Sequence, residues 1–440
     1  MEPHSPNRPL LLNPALPVEK AREAIADLVK ELLEEAQKQT PLTFELTPLD
    51  QSINRILGSD LLSPIDVPAA DNSAMDGYAF DGACLKDDGD LARLQIVGTA
   101  FAGKPFDKVV SSGQCVKIMT GALMPAGCDT VIPQELIIES SNNLATIEFE
   151  KKLLKAGDNR RLRGEDLQKG KAAVSAGRIL RPSDLGLAAS LGIKELPLRP
   201  QLKVAILSSG DELRPLGEPL STGTIYDSNR YSLIGLLNRL NLKIIDCGIV
   251  RDDPASLKKA FCDAAKQADV LISSGGVSVG EADYTKQIMQ ELGDVGFWKI
   301  AMRPGRPMAF GTLKPVDGQA NRKRTLFFGL PGNPVAVMVT FYQFVQSALL
   351  ALNGASQTEP TLMQAIAQAP IRKKAGRTEF QRAILGRNKD GRPTVRLTGS
   401  QGAGILRSMS EANCFVILNH EQGNVAAGEW VDVALFEGLL

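Results

Sequence analysis

Apolar residues change their spacing several times along the chain, and each change marks an expected element boundary. Residues 1–16 hold four prolines and no apolar period, which reads as a disordered tail. After Pro17, Ala21, Ile25, Leu28, Leu32 and Ala36 recur every three or four positions and predict an amphipathic helix. Between residues 64 and 163 the apolar runs are short, as at 94–97, 115–119 and 144–149, and glycine and proline cut them apart. That spacing predicts a small β-rich domain. A second helical pattern, with Leu185, Leu187, Ala188 and Leu191 on one side, follows Arg181-Pro182. Residues 17–63 and 164–196 are therefore read as one discontinuous N-terminal domain of mixed helical character.

From residue 197 to 352 the period alternates. Runs at 204–207, 244–249, 270–272 and 326–328 suit buried strands; 229–240, 254–268, 282–292 and 334–352 suit helices. This is the signature of a doubly wound α/β domain with a parallel sheet. Asp253-Pro254 reads as an N-cap and first-turn pair. After Asn353, short apolar runs at 380–385, 394–397, 414–418 and 430–435 return between glycines, predicting a C-terminal β-barrel or sandwich over 353–440, taken as a barrel. The fold class is thus multidomain α/β plus β.

Composition narrows the function. The 440 residues suit roughly two to four domains. Fifty basic residues balance fifty acidic ones, so no overall field attracts nucleic acid or anionic lipid, and any bound anion needs a local site. No apolar stretch is read as reaching the ~20 residues of a membrane span, and a cytoplasmic location is expected. Six cysteines without a CxxC pair suggest neither a zinc cluster nor a disulfide framework. With only His4 and His420 present, carboxylates must carry any acid–base or metal chemistry.

Polar loops follow each expected strand of the α/β domain, at 208–212, 251–253, 273–280 and 329–334. In open parallel sheets those strand ends form the ligand crevice. Gly275, Gly276 and Gly332 lead into expected helices, so backbone N–H groups can face an anion, with phosphate the natural candidate. Asp211, Glu212, Asp252, Asp253, Glu281 and Asp283 on the same edge would repel phosphate unless a cation intervened; Mg²⁺ fits such an oxygen-rich inventory. Lys299, Arg303 and Arg306 supply a basic run nearby in sequence. Each loop alone also reads as a turn, a helix cap or a solvated face; their coincidence on one sheet edge points to a phosphate-bearing ligand. The run 98–104 has P-loop spacing, but Pro105 replaces the Ser or Thr that would bind magnesium.

Longer words are present as well: DNSAMDGY at 71–78, IMTG at 118–121, RGED at 163–166, SGDEL at 209–213, SGGVSVGEADYTK at 274–286, LPGNP at 330–334, EFQR at 379–382 and GEW at 428–430. In this order they closely resemble the molybdopterin molybdotransferase family, from about residue 15 to the end. The resemblance implies four domains per subunit and an elongated homodimer whose clefts combine loops of both subunits. It implies a reaction in which molybdate enters adenylylated molybdopterin and AMP leaves, with possible contacts to other proteins of the molybdenum cofactor pathway. Carried over by position, Asp76, Glu212, Asp252 and Asp283 are the candidate catalytic residues, and Glu212, Asp252 and Asp283 the candidate Mg²⁺ ligands. Thr120, Asp166, Ser209, Gly210, Asp211, Ser274, Gly275, Gly276, Lys286, Lys299, Arg303, Pro331, Gly332, Asn333, Pro334 and Arg382 are the candidate substrate-binding residues. Asp76, Thr120 and Asp166 would face the α/β loops across a cleft. Arg303 and Arg306 stand where relatives commonly carry Lys, and Ala403 where Ser is common, which removes a hydroxyl. Two other readings compete: a pterin-nucleotide or nucleotide pyrophosphatase, and a non-catalytic scaffold of the same fold.

Overall fold

The computed structural model describes residues 15–39, 43–138, 145–275, 283–315 and 323–436, with the backbone alone at 283–286. Contacts divide the chain into a smaller unit, Asp60–Ser175 with Gly186–Ile193, and a larger unit holding the rest. This grouping differs from the expected union of 17–63 with 164–196. The amphipathic helix α1 (Val18–Gln39) buries Val18, Ala21, Ile25, Val29 and Leu32 in the same core as Val204, Leu233 and Leu349 of the α/β domain. Packing of that apolar stripe decides its place.

The α/β part runs β1 (Lys203–Ser209), α2 (Ser228–Arg239), β2 (Lys243–Val250), α3 (Pro254–Ala265), β3 (Val270–Ser274), α4 (Asp283–Leu292), β4 (Gly293–Lys299), β5 (Pro307–Leu313) and β6 (Thr325–Leu330). The sheet order is β2-β1-β3-β6-β5-β4. The first four strands are parallel, as expected; β5 and β4 add an antiparallel edge that the pattern did not predict. Side chains alternate between two cores. Val204, Ile206, Ile272 and Phe328 face α2 and the last helical segments, whereas Ala205, Leu207, Leu271 and Phe327 face Leu257 and Phe261 of α3 and Met289 of α4. Asp253 caps α3 by accepting the Ser256 N–H at 2.9 Å, with Pro254 in the first turn; such a cap contributes about 1 kcal/mol.

The expected helix at 334–352 is α5 (Pro334–Thr340), a π-helical turn (Phe341–Val345) and α6 (Gln346–Leu352). Thr340 Oγ1 donates to the carbonyls of Ala336 and Val337 just before the turn, and the Val337 carbonyl also accepts the Phe341 N–H. Contrary to the reading that no stretch reaches membrane length, Pro334–Leu352 is long and apolar enough to cross a bilayer. It is instead a core helix, 72% buried, with Val335, Val337, Phe341, Val345 and Leu349 inside.

The C-terminal part is a closed five-stranded barrel: β7 (Leu362–Ala367), β8 (Thr378–Arg387), β9 (Pro393–Leu397), α7 (Leu406–Glu411), β10 (Cys414–Leu418) and β11 (Trp430–Leu435). Its order is β8-β9-β7-β11-β10, with β10 pairing back onto β8, and Ala365, Ala383, Val416 and Val433 fill it. Closure leaves no open edge. A two-residue strand, Met302–Arg303, runs parallel to the start of β8.

The smaller unit contains a five-stranded sheet ordered Thr130–Pro133, Gly77–Phe80, Gln114–Ile118, Leu91–Ala100, Thr146–Glu150. Phe80, Ile132 and Phe149 lie in one core, Ala79, Val116 and Val131 in another. A side chain at Gly77 would place its Cβ 1.9 Å from the Ile132 carbonyl oxygen. All six cysteines are free thiols. Burial pushes Cys115, Cys128 and Cys414 up to about 12.

Candidate active site

A cavity of about 800 Å³ opens at the carboxyl ends of β1, β2, β3 and β6, a size typical of small-molecule sites. Ser209, Gly210 and Glu212 line it after β1, Asp252 after β2, Ser274 and Gly275 at the end of β3, and Pro331, Gly332, Asn333 and Pro334 after β6. Arg303 and Arg306 contribute another wall, and the barrel adds Gln401, Ala403 and Gly404. Sequence reasoning thus brings eleven of its candidates, Arg303 included, into one place.

The loops interlock. Ser209 Oγ donates to Asp252 Oδ1 at 3.0 Å, and the Asp252 N–H donates to Asp211 Oδ1 at 3.3 Å. Gly275 has a φ of +87°, and a Cβ there would lie 2.3 Å from the Ser209 carbonyl oxygen, so only glycine lets β1 and β3 end this close. A Cβ on Gly332 would lie 4.0 Å from Gly275 Cα, so two bare stretches of backbone adjoin. Asn229, near the start of α2, clasps them by donating from Nδ2 to Ser274 Oγ at 2.7 Å and to the Gly332 carbonyl at 2.8 Å. Asp227 also lines the cavity, but its carboxylate is buried and engaged by Ser208 Oγ and by the Arg230 backbone and Nε. It builds the helix start and has no free oxygen edge for chemistry.

The basic wall is tied to the barrel. Arg303 pairs in register with Glu379 of β8, and both Arg303 and Arg306 are exposed. Arg382, expected to touch substrate, is 1% exposed and does not line the cavity. Its guanidinium donates to Ser408 Oγ at 3.1 Å and to the carbonyls of Ser400, Gln401 and Gly402 at 3.4, 3.3 and 3.0 Å. Gln401 answers with two bonds to the Arg382 backbone. Burial, and then the nearby charge of Arg303, pull the Arg382 guanidinium down to about 10. The residue holds the loop that carries Gln401 and Ala403, while the Ala403 carbonyl accepts the Val335 N–H at 3.1 Å.

In the smaller unit, Asp76 Oδ1 accepts both the backbone N–H and the hydroxyl of Thr120, each at 2.7 Å. Those two bonds, the backbone one first, hold the Asp76 carboxyl below its usual range. Asp166 is exposed, with its N–H on the Val67 carbonyl. Its neighbour Arg163 pairs with Asp66 at 2.7 Å.

Gly276 and Glu281 lie outside the described residues, as do the side chains of Asp283 and Lys286. Lys299 sits in β4, pairs with Pro307 and is not among the cavity-lining residues. Asp253 is the cap described above. Among the described residues, no three metal-binding side chains converge. Asn229, Asp227 and Gln401 were missed; the only available cue was the capping run 227–229, which gains meaning once a helix start is known to lie at the sheet's carboxyl edge.

A molybdopterin molybdenumtransferase of Haemophilus influenzae is 44% identical over 401 residues, covering 91% of this chain and 96% of the relative. The chain belongs to the MoeA family. Family models match in order: the MoeA N-terminal region (domain I and II) at 16–192, the probable molybdopterin binding domain at 205–351 and the MoeA C-terminal region (domain IV) at 364–436. A Nostoc molybdopterin molybdenumtransferase is 31% identical over 97% of this chain and 95% of its own. The crystal structure of a molybdopterin biosynthesis moeA protein from Pyrococcus horikoshii superposes with a TM-score of 0.77 at 26% identity, covering 96% of this chain and all of that one. In MoeA terms, the cavity draws its strand-end loops from the molybdopterin-binding segment and its Gln401–Gly404 wall from domain IV.

Proposed function

We propose that the chain is a molybdopterin molybdotransferase, which inserts molybdate into adenylylated molybdopterin and releases AMP, and that the cavity at the sheet edge is where this occurs. The observation that carries the reading is the convergence of two carboxylates without an ion pair among the described residues, Glu212 and Asp252, the bare backbone at Gly275 and Gly332, and the cations Arg303 and Arg306 around one cavity. Cleaving the phosphoanhydride requires charge neutralisation on the phosphates and a positioned oxygen nucleophile. Arg303 and Arg306 are assigned to anionic oxygens of molybdate or phosphate, with guanidinium geometry favouring paired contacts. Ser209 holds Asp252 in one rotamer, and Asn229 keeps the Gly332 loop against Ser274. The protein's part is positioning more than covalent catalysis.

Glu212 and Asp252, with Asp283, are the residues that would hold Mg²⁺; the ion is commonly bound by one or two carboxylates plus substrate phosphate oxygens. When bound it would neutralise the developing phosphate charge. Asp76, Thr120 and Asp166 are assigned to substrate, and Lys286 and Lys299 to anionic oxygens. Homodimerisation, a cytoplasmic location and hand-over with other cofactor-pathway proteins belong to the same reading; sedimentation of the purified protein tests the dimer.

The deciding assay mixes the protein with adenylylated molybdopterin, Mg²⁺ and molybdate and follows AMP and cofactor together, for wild type, Glu212→Ala and Asp283→Ala. Molybdate-dependent AMP release lost in both variants supports the reading. Release without metal insertion indicates a pyrophosphatase, and binding without turnover a scaffold.

A further inference from the structure

At the opposite edge of the same sheet, where β1, β3 and β6 begin, a second cavity of about 370 Å³ lies among α1, the end of α6 and the segment entering β1. Leu32, Leu33 and Ala36 of α1, Leu202 and Leu352 make its apolar lining. The charged groups around it are unequal in their commitments. Arg324 is engaged by Glu31 at 2.6 Å and by Glu35 at 2.8 Å. Asp269 accepts the Lys203 N–H at 2.9 Å; it and Lys323 are exposed and opposite in charge.

Arg199 stands apart. Its Nε is buried without an acceptor, and no carboxylate among the described residues lies within ion-pair reach. The guanidinium carbon rests 5.7 Å from the centroid of the Phe44 ring. Gly354, at a φ of +88°, makes room for it, since a Cβ there would lie 3.0 Å from Nε. Nε is closed off against Gly354, so a ligand in the cavity would meet the guanidinium through its terminal nitrogens, which have no acceptor among the described residues.

We propose that this cavity is a second ligand site, built for a small organic monoanion whose carboxylate- or sulfonate-like head pairs with Arg199 while an apolar body lies on the leucines. The volume falls at the small end of ligand sites, Arg199 and Lys323 stand against one carboxylate without an ion pair among the described residues, Asp269, which leaves one positive charge for one negative head, and a planar fork suits a head with two equivalent oxygens. A ligand there would join α1 to the strand starts, away from the proposed transferase cavity, and the inference does not depend on that reaction.

The test uses 8-anilinonaphthalene-1-sulfonate, an aromatic monoanion, titrated by fluorescence against the full chain. Saturable binding of one probe per chain is expected. It should weaken on the order of tenfold in Arg199→Gln, the size of one lost charge-assisted pair, and disappear in Ala36→Phe, which fills the cavity from α1. Arg303→Gln, in the other cavity, should leave it unchanged. If Arg199→Gln is poorly folded by circular dichroism, Ala36→Phe decides. Binding that survives both substitutions, or that is lost only in Arg303→Gln, overturns the proposal. Failure of the transferase reading would register separately, as absent AMP release with probe binding intact.

Discussion

The open sheet and the closed barrel line the same cavity in opposite ways. The sheet ends in free strand termini, so Glu212 and Asp252 stand in the open there, each reachable from solvent. The barrel has no termini to offer on that side; it contributes a loop of mostly neutral groups and buries its cation, Arg382, behind it. A charge placed among neutral acceptors is costly to desolvate, and its hydrogen bonds offset that cost only while all of them are made. The two carboxylates at the sheet edge can therefore be altered at the expense of chemistry alone, whereas the barrel position couples chemistry to folding.

The sharpest break between the two comes from Glu212→Gln and Asp252→Asn. Each is expected to lower kcat/KM for AMP release by about 10²–10³-fold, the usual effect of removing one electrostatic partner of a transition state, with the thermal midpoint little changed. A loss under tenfold would move the chemistry off this edge. Gly275→Ala is expected to cost about 1–3 kcal/mol in urea unfolding, because it forces a Cβ into a left-handed position already facing the Ser209 carbonyl. Wild-type stability in that variant would mean the two strand ends can part. Arg382→Lys keeps the charge but not the fork, so about 1–2 kcal/mol of stability and a rise in KM should be lost and gained together. An intact midpoint with impaired turnover would instead make Arg382 a direct substrate contact. The smallest effect is expected for Asp76→Asn. The depressed carboxyl contributes stability above its ordinary value near 3.8, lost as pH falls through the lower folded value. Thermal midpoints of wild type and variant should therefore converge below about pH 4.

The parallel strands and their helices were legible because their apolar periods are undiluted, as in 204–207 and 254–265. The antiparallel edge was not. In β4 and β5, Gly293, Gly296 and Gly311 break the pattern, two of them because the partner backbone comes so close: a Cβ at Gly293 would lie 2.0 Å from the Thr312 oxygen and one at Gly311 2.1 Å from the Asp294 oxygen. The C-terminal barrel was expected, but which strands close it was not, since pairing of β10 with β8 joins residues 31 to 39 positions apart without a local signal. At the site, Glu212 and Asp252 could be named from position, since a strand end predicts where they stand. The roles of Asn229 and Arg382 could not, because each bridges loops that are distant in sequence, and burial turns a residue that reads as a ligand into one that holds its neighbours.

The buried thiols have a consequence for metal handling. On the proposed reaction, thiolates of the protein would be rivals of the dithiolene, because the dithiolene itself binds molybdenum through thiolate sulfur. With Cys115, Cys128 and Cys414 at about 12 and Cys84 and Cys247 raised by burial as well, these five side chains stay protonated at neutral pH. On the proposed reaction, chemical silence at these positions leaves the cofactor's own sulfurs without a rival for the metal.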